Sequence, residues 1–211
     1  MASGGSGPFE SMVRILVVLA LALVTLTPPV LQAQDLNPSL DRARRQPIND
    51  GQGAAGISLG DTEEAVIKSL GGLPLKSRES SDGLLRELLY AAVDPQERWA
   101  FALRIVLGEG GVETIGIAVS RRAGSAFPYL GRTRRGYQFG ESKDQLQARY
   151  GRPDDVFKRP PAAGEFWWYR SAGLVIEPGE RTVEDASESM LTIVRPHLTA
   201  AEARRQALDL P

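Results

Sequence analysis

Ser58 is the serine best placed for nucleophilic chemistry, because it lies in a Gly-x-Ser-x-Gly pattern between Gly56 and Gly60. This pattern is typical of the nucleophile elbow of serine hydrolases, where a sharp strand-to-helix turn exposes the hydroxyl. A serine nucleophile needs a general base, and His197 is the only histidine of the chain. Ser58 with His197 therefore defines a hydrolase hypothesis.

Two further patterns point to a cofactor or a metal only weakly. Residues 51–56 match Gly-x-Gly-x-x-Gly, but a dinucleotide site needs a strand before this pattern and a helix opening from it. Asp154, Asp155 and Glu165 offer oxygen ligands for calcium, although spacing alone is weak evidence. We expect Asp154 to form a turn after Pro153, and we expect no cofactor and no metal.

Aromatic side chains dominate the run from Phe166 through Trp167 and Trp168 to Tyr169. On a strand, Phe166 and Trp168 point to one face, whereas Trp167 and Tyr169 point to the other. One face must pack beneath helices, so we expect the other to lie on an open sheet face together with Tyr90. Exposed aromatic residues are typical of protein interfaces. The alternative is a sheet covered on both faces, with both pairs in the core.

Arginines are concentrated in the segment 121–135, and we expect Arg134 and Arg135 to contribute to partner binding. The alternative is a solvated connector, because the 25 basic and 26 acidic residues of the chain nearly balance at a net charge of -1. This balance gives no argument for nucleic-acid binding.

The N-terminal region has the pattern of an export signal. About a dozen apolar residues, 15–26, follow a short basic segment that begins at Met12, and cleavage after Ala33 fits the small-residue rule. Because a membrane span needs about 20 apolar residues, we expect cleavage rather than retention as an anchor. We therefore expect a periplasmic or secreted protein. The chain has no cysteine, so it has no site for an acyl membrane anchor.

An internal repeat organises the rest of the chain. Gly56 and Gly60 align with glycines 80 residues later, and the neighbouring apolar positions coincide. Ser58 aligns with Gln138, which weakens the nucleophile hypothesis because both copies need the glycines but only one has the serine.

Each copy is predicted to contain one short helix followed by antiparallel strands. Capping-box patterns precede two such helices and a C-terminal helix: Asp61 with Glu64, Ser142 with Gln145, and Thr199 with Glu202. Strand-like runs cover 84–92, 98–107, 112–120, 165–170, 173–177 and 190–194. The short turns between these runs favour antiparallel pairing.

The predicted fold class is α+β, with two tandem helix-plus-antiparallel-sheet repeats whose sheets are either separate or joined into one. The predicted segments are a signal peptide (1–33), a flexible linker (34–55), a first repeat (56–120), a connector (121–135), a second repeat (136–196) and a C-terminal helix (197–211).

The pattern Gly-x-x-x-Gly-x-[Thr/Ser], a short helix, Gly-x-Pro and a strand carrying Trp and Tyr resembles the SmpA/OmlA family of barrel-assembly lipoproteins. The tandem arrangement is similar to that of the beta-lactamase inhibitor proteins. The resemblance implies a role in binding other proteins of the cell envelope, without an enzymatic reaction.

Three function hypotheses remain open. The first is an exported, non-enzymatic protein-binding module of the bacterial envelope, which contacts an envelope or secreted protein through Trp167, Trp168, Tyr169, Tyr90, Arg134 and Arg135. The second is a secreted serine hydrolase that uses Ser58 and His197. The third is a structural envelope protein retained by its leader.

Overall fold

The computed structural model describes residues 37–93, 99–120, 129–158, 164–179 and 188–209. All of them belong to one compact unit, residues 33–211. The helices are α1 (Pro38–Ala43), α2 (Glu63–Leu70), α3 (Lys143–Tyr150) and α4 (Ala200–Arg204), and α4 continues as a π-helical turn at Arg205–Asp209. The strands are β1 (Gly53–Ala54), β2 (Ile57–Ser58), β3 (Lys76–Glu79), β4 (Arg86–Val93), β5 (Trp99–Gly108), β6 (Gly111–Ser120), β7 (Asp155–Lys158), β8 (Glu165–Tyr169), β9 (Leu174–Ile176) and β10 (Glu188–Ile193).

Eight of the strands form one antiparallel sheet, in the order β3-β4-β5-β6-β10-β9-β8-β7. This sheet with its helices confirms the α+β class. Each half of the sheet follows one helix, α2 in the first and α3 in the second. The halves join where β6 pairs with β10, in a register that places Ile115 opposite Ile193. The sheet is therefore continuous. From each outer edge to the centre the strands follow one another in chain order, β3 to β6 in the first half and β7 to β10 in the second.

Corresponding hydrogen bonds occur in the two halves. The Tyr90 hydroxyl donates to the carbonyl oxygen of Gly72 at 3.2 Å, and the Tyr169 hydroxyl donates to that of Gly151 at 3.5 Å. Donor and acceptor are each displaced by 79 residues between the halves. Each tyrosine thus ties β4 or β8 to the end of the helix that precedes it.

The two faces of the sheet have separate cores. One face packs beneath α1, α2 and α3 and holds the larger cluster of buried residues, which includes Leu88, Ile105 and Ile193. The other face is covered in the second half by α4 and its π-helical turn, through Ala203 and Ala207. Burial of apolar surface in these clusters is the main stabilising contribution to the fold.

Helix capping follows the sequence patterns with one correction. The capping boxes at Ser142 and Thr199 are both present. The cap of α2, however, is Thr62, whose side chain accepts a hydrogen bond from the amide of Ala65. The prediction of Asp61 as the cap is wrong, because its carboxylate instead accepts a hydrogen bond from the Ser58 amide.

The prediction of a flexible linker over 34–55 is wrong for residues 37–55. This segment forms α1 and β1, and Ile48 is fully buried within the main core. In the predicted connector, Tyr129 is buried and its hydroxyl donates to the carbonyl oxygen of Gln46. Single apolar residues, rather than periodic runs, bury these two segments in the core, so the sequence shows no helix or strand period there. The leader (1–33) and residues 121–128 of the connector lie outside the described residues.

Among the described residues, no helix combines the length and the apolar character that crossing a bilayer requires.

Candidate functional site

The aromatic strand does not form an open surface. Trp168 is 1% exposed and Trp167 9%, and Tyr169 and Tyr90 are buried as well. The expectation of an exposed aromatic face is therefore wrong, and the alternative of a sheet covered on both faces is right at this strand. Trp168 packs in the cluster beneath α4, whereas Trp167 belongs to the main core, with the Lys143 ammonium 6.0 Å from its ring centre.

Burial has a measurable consequence for the tyrosines of this core. It raises the pKa of Tyr169 to about 12, with a smaller contribution from the negative charge of Asp154. Burial also raises the pKa of Tyr150, whose ring centre lies 5.1 Å from that of Tyr169. Both hydroxyls act as hydrogen-bond donors in the fold, that of Tyr169 to the carbonyl oxygen of Gly151 and that of Tyr150 to the carboxylate of Asp50.

Ser58 and His197 are not brought together as a catalytic pair. Ser58 lies within β2, which pairs antiparallel with β1 in a two-stranded ribbon rather than at a sharp strand-to-helix turn. This ribbon also rules out a dinucleotide fingerprint at residues 51–56, because no helix opens directly from it. His197 follows β10, and no hydrogen bond joins it to Ser58 in the part of the chain that the structure describes.

The acidic residues considered for calcium have other partners. Glu165 pairs with Lys143 at 2.8 Å, and this ammonium lowers the pKa of Glu165. Asp154 lies in a bend between Pro153 and β7, and its carboxylate accepts a hydrogen bond from the Arg170 amide. Over the described ranges, no group of three or more His, Asp or Glu side chains is arranged to hold a metal ion.

Arg134 and Arg135 are both exposed. The Arg134 amide donates to a carboxylate oxygen of Asp50. The guanidinium of Arg135 lies 5.0 Å from the ring centre of Tyr150 and donates to the carbonyl oxygen of Arg149. The two arginines thus remain available to a ligand, although the aromatic residues that were expected to accompany them are in the core.

The largest exposed apolar side chains of the described residues lie around the first edge of the sheet. Leu73 is 82% exposed, Leu75 69% and Leu84 72%. Leu73 and Leu75 precede β3, and Leu84 follows the turn after β3, so the three leucines flank both ends of this edge strand. We call them, together with β3, the leucine edge.

A groove of about 570 Å³ lies at the Leu84 end of the leucine edge. Leu84, Leu85 and Leu107 give it an apolar lining. Its acidic residues are Glu63, Glu79 and Glu109, and of these Glu63 forms an ion pair of 3.0 Å with Arg86. The groove therefore combines apolar surface with an excess of negative charge.

Periodic patterns in the sequence do not indicate the leucine edge: Leu73 and Leu75 lie outside every predicted element, and Leu84 falls within the predicted strand 84–92, which begins at Arg86 in the structure. Leu73, Leu75 and Leu84 lie in turn segments, next to Pro74 and Gly83, where leucine has no structural reason to be. Large apolar residues in a turn are the signal that identifies this surface.

Comparisons with known proteins give a likeness of fold only. No protein-family model matches the chain, and no curated protein matches it. Among solved structures, the crystal structure of a DUF4309 family protein, YjgB, from Bacillus subtilis is similar. The likeness covers 76% of this chain and 97% of that chain, with 15% identity and a TM-score of 0.43. Similarity at this level carries no functional argument.

Proposed function

We propose that the chain is an exported, non-enzymatic protein-binding module of the bacterial cell envelope, and that it binds an extended segment of its partner along β3. The observation that carries this proposal is the exposure of three leucines around a terminal strand of the sheet. An edge strand has backbone N–H and C=O groups that point away from the sheet, and an added strand pairs with them.

The charges of the groove define the chemistry of the partner. Glu79 and Glu109 are exposed, and neither side chain has an ion-pair partner among the described residues. Opposite charges across an interface favour association and suppress wrong partners. We therefore expect a partner segment with an apolar side chain for the groove and a basic side chain next to it.

Export and duplication belong to the same proposal. The apolar run at 15–26 with a small residue at Ala33 supports a cleaved leader and a periplasmic or secreted location.

The matched glycines and the matched tyrosine hydrogen bonds support an origin of the two halves as copies of one unit. The equivalent edge of the second half, β7, has only Val156 as a large exposed apolar residue among the described residues, at 41%. The proposed interface therefore belongs to the first half.

A selection from a random peptide library displayed on phage, with the full chain as the target, tests the proposal. We expect enriched peptides that alternate apolar and basic residues, and we expect the double variant Leu75→Asp and Leu84→Asp to lose their binding at least tenfold. The matched control is Val156→Asp, on the opposite edge strand. The proposal fails if no sequence is enriched, or if Val156→Asp weakens binding as much as the double variant does.

A further inference from the structure

A second cleft, of about 500 Å³, is formed by several separate segments and shares no lining residue with the groove at the leucine edge. Its lining comes from the loop after α1, from the end of the connector, from the turn between β8 and β9, and from the residues after β10: Asp50, Gln52, Arg134, Arg135, Ser171, Ala172, Pro196 and His197. We call it the arginine cleft. Its volume is in the range typical of small-molecule sites.

We infer that the arginine cleft binds a small organic anion, whose carboxylate or phosphate group is held by Arg134 and Arg135 and whose organic body lies on Ala172 and Pro196. Guanidinium groups match the geometry of these oxyanions and bind them through paired hydrogen bonds. This inference does not depend on the proposed protein-binding function, because the two surfaces share no residue.

The charges of the cleft favour an anion. Two arginines face a single acidic residue, Asp50, which is already engaged: the Tyr150 hydroxyl donates to it at 2.9 Å, and the Arg134 amide donates at 3.2 Å. The side chain of Arg134 has no hydrogen-bond or ion-pair partner among the described residues. Arg135 is positioned in advance by the ring of Tyr150 and by the Arg149 carbonyl. One cationic group is thus fixed and the other is available.

The base of the cleft is closely packed. A Cβ atom on Gly51 would lie 2.5 Å from Cγ of Pro196, and a Cβ atom on Gly173 would lie 2.7 Å from Cα of Gly51. The two glycines therefore allow three chain segments to meet without a gap. A rigid base of this kind lowers the entropy cost of ligand binding. Ala172 and Pro196 give the cleft an apolar side, which suits an organic body better than a bare inorganic ion.

His197 adds a strained backbone to the same cleft. Its φ of +67° lies in the left-handed region, which residues other than glycine rarely adopt. The Arg170 carbonyl holds this conformation by accepting the His197 amide at 3.1 Å. Strain of this kind is concentrated at functional sites, where it orients a side chain.

The arginine pair of the cleft has no counterpart earlier in the chain. At the offset of 80 residues, Arg134 and Arg135 correspond to Ala54 and Ala55, which are buried. Tyr150 corresponds to Leu70, which has no hydroxyl for an acidic partner. The shared architecture of the halves therefore does not require these polar residues.

Isothermal titration calorimetry on the full chain at about 0.15 M salt tests the inference, because surface charges are then screened. The ligands are succinate, citrate and glycerol 3-phosphate, with diethyl succinate as an uncharged control and inorganic phosphate as a control without an organic body. We expect at least one organic anion to bind with a Kd below about 1 mM, and neither control to bind. A carboxylate or a phosphate ester as the tightest ligand distinguishes the two sources of the oxyanion.

Two matched variants locate the site. Arg134→Gln is expected to weaken binding about tenfold or more, because it removes a charge-assisted hydrogen bond. Arg132→Gln removes another exposed arginine of the same segment, which does not line the cleft, and we expect a change below twofold. The inference is overturned if no organic anion binds, if inorganic phosphate binds as tightly as the organic anions, or if both variants lose affinity equally. The Leu75→Asp and Leu84→Asp variant should bind the anion normally, which separates this test from that of the protein-binding function.

Discussion

Replacing Trp168 with alanine tests whether the aromatic strand is core or surface. Trp168 is 1% exposed and packs in the cluster beneath α4. Truncating a buried tryptophan to alanine costs about 3–5 kcal/mol, through lost burial and the cavity left behind. Since domains have a total stability of about 5–15 kcal/mol, this loss is a third or more of the free energy of unfolding in most cases. For a domain of this size it corresponds to a fall in Tm of about 10 °C.

Urea unfolding followed by far-ultraviolet circular dichroism measures this loss without relying on tryptophan fluorescence. The matched control is Leu84→Ala, which truncates a large apolar side chain that is 72% exposed, and we expect its cost to stay within about 0.5 kcal/mol. The reasoning is refuted if Trp168→Ala unfolds within 0.5 kcal/mol of the parent chain. That result would mean that α4 does not cover this face in solution.

Three further predictions concern backbone strain, ionisation and capping. Gly51→Ala should lower the free energy of unfolding by about 2 kcal/mol or more, because its Cβ would lie 2.5 Å from Pro196. The control is Gly60→Ala, where φ is also positive but the space around the Cβ is open, and we expect about half of that loss in thermal unfolding. Because burial raises the pKa of Tyr169 to about 12 from 10.0, its contribution to stability is full below pH 10 and is lost as the pH rises through 12. An absorbance titration at alkaline pH should show its ionisation delayed until unfolding, and ionisation centred near pH 10 in the folded chain would contradict this. Thr62→Ala should lower stability by about 1 kcal/mol in urea, because the N-cap of α2 is lost, and an unchanged midpoint would exclude the cap.

The fold class was predictable because its signals are local and repeated. Glycines at fixed positions, capping residues and alternating apolar runs identify three helices and six strands. The edge strands β3 and β7 escaped prediction because each has only four residues, of which all are polar or charged in β3 and two are charged in β7. Short, charged edge strands are typical of sheets that avoid aggregation. The ordered segment at 37–55 escaped because Leu40 and Ile48 enter the core singly.

The site was harder to predict than the fold, because burial depends on which distant element covers a given strand. A strand with Phe166 and Trp168 on one face is equally consistent with a core and with an interface until α4 is placed over it. The arginines were identified from composition, but their cleft is closed by Asp50 and His197, which are 147 positions apart in the chain. The spacing of residues along the sequence does not predict a contact between such distant segments.

A comparison of the two halves distinguishes residues that the fold requires from residues that it does not require. Positions that serve the architecture keep their role at the offset, as Tyr90 and Tyr169 do with their helix-end carbonyls. Leu89 corresponds to Trp168 at an offset of 79, but it is only half-buried and does not belong to the cluster beneath α4. A feature present in one half cannot be required by the shared fold, so it needs another explanation. The leucine edge and the arginine pair of the cleft are both such features, and the two proposed binding functions would account for them.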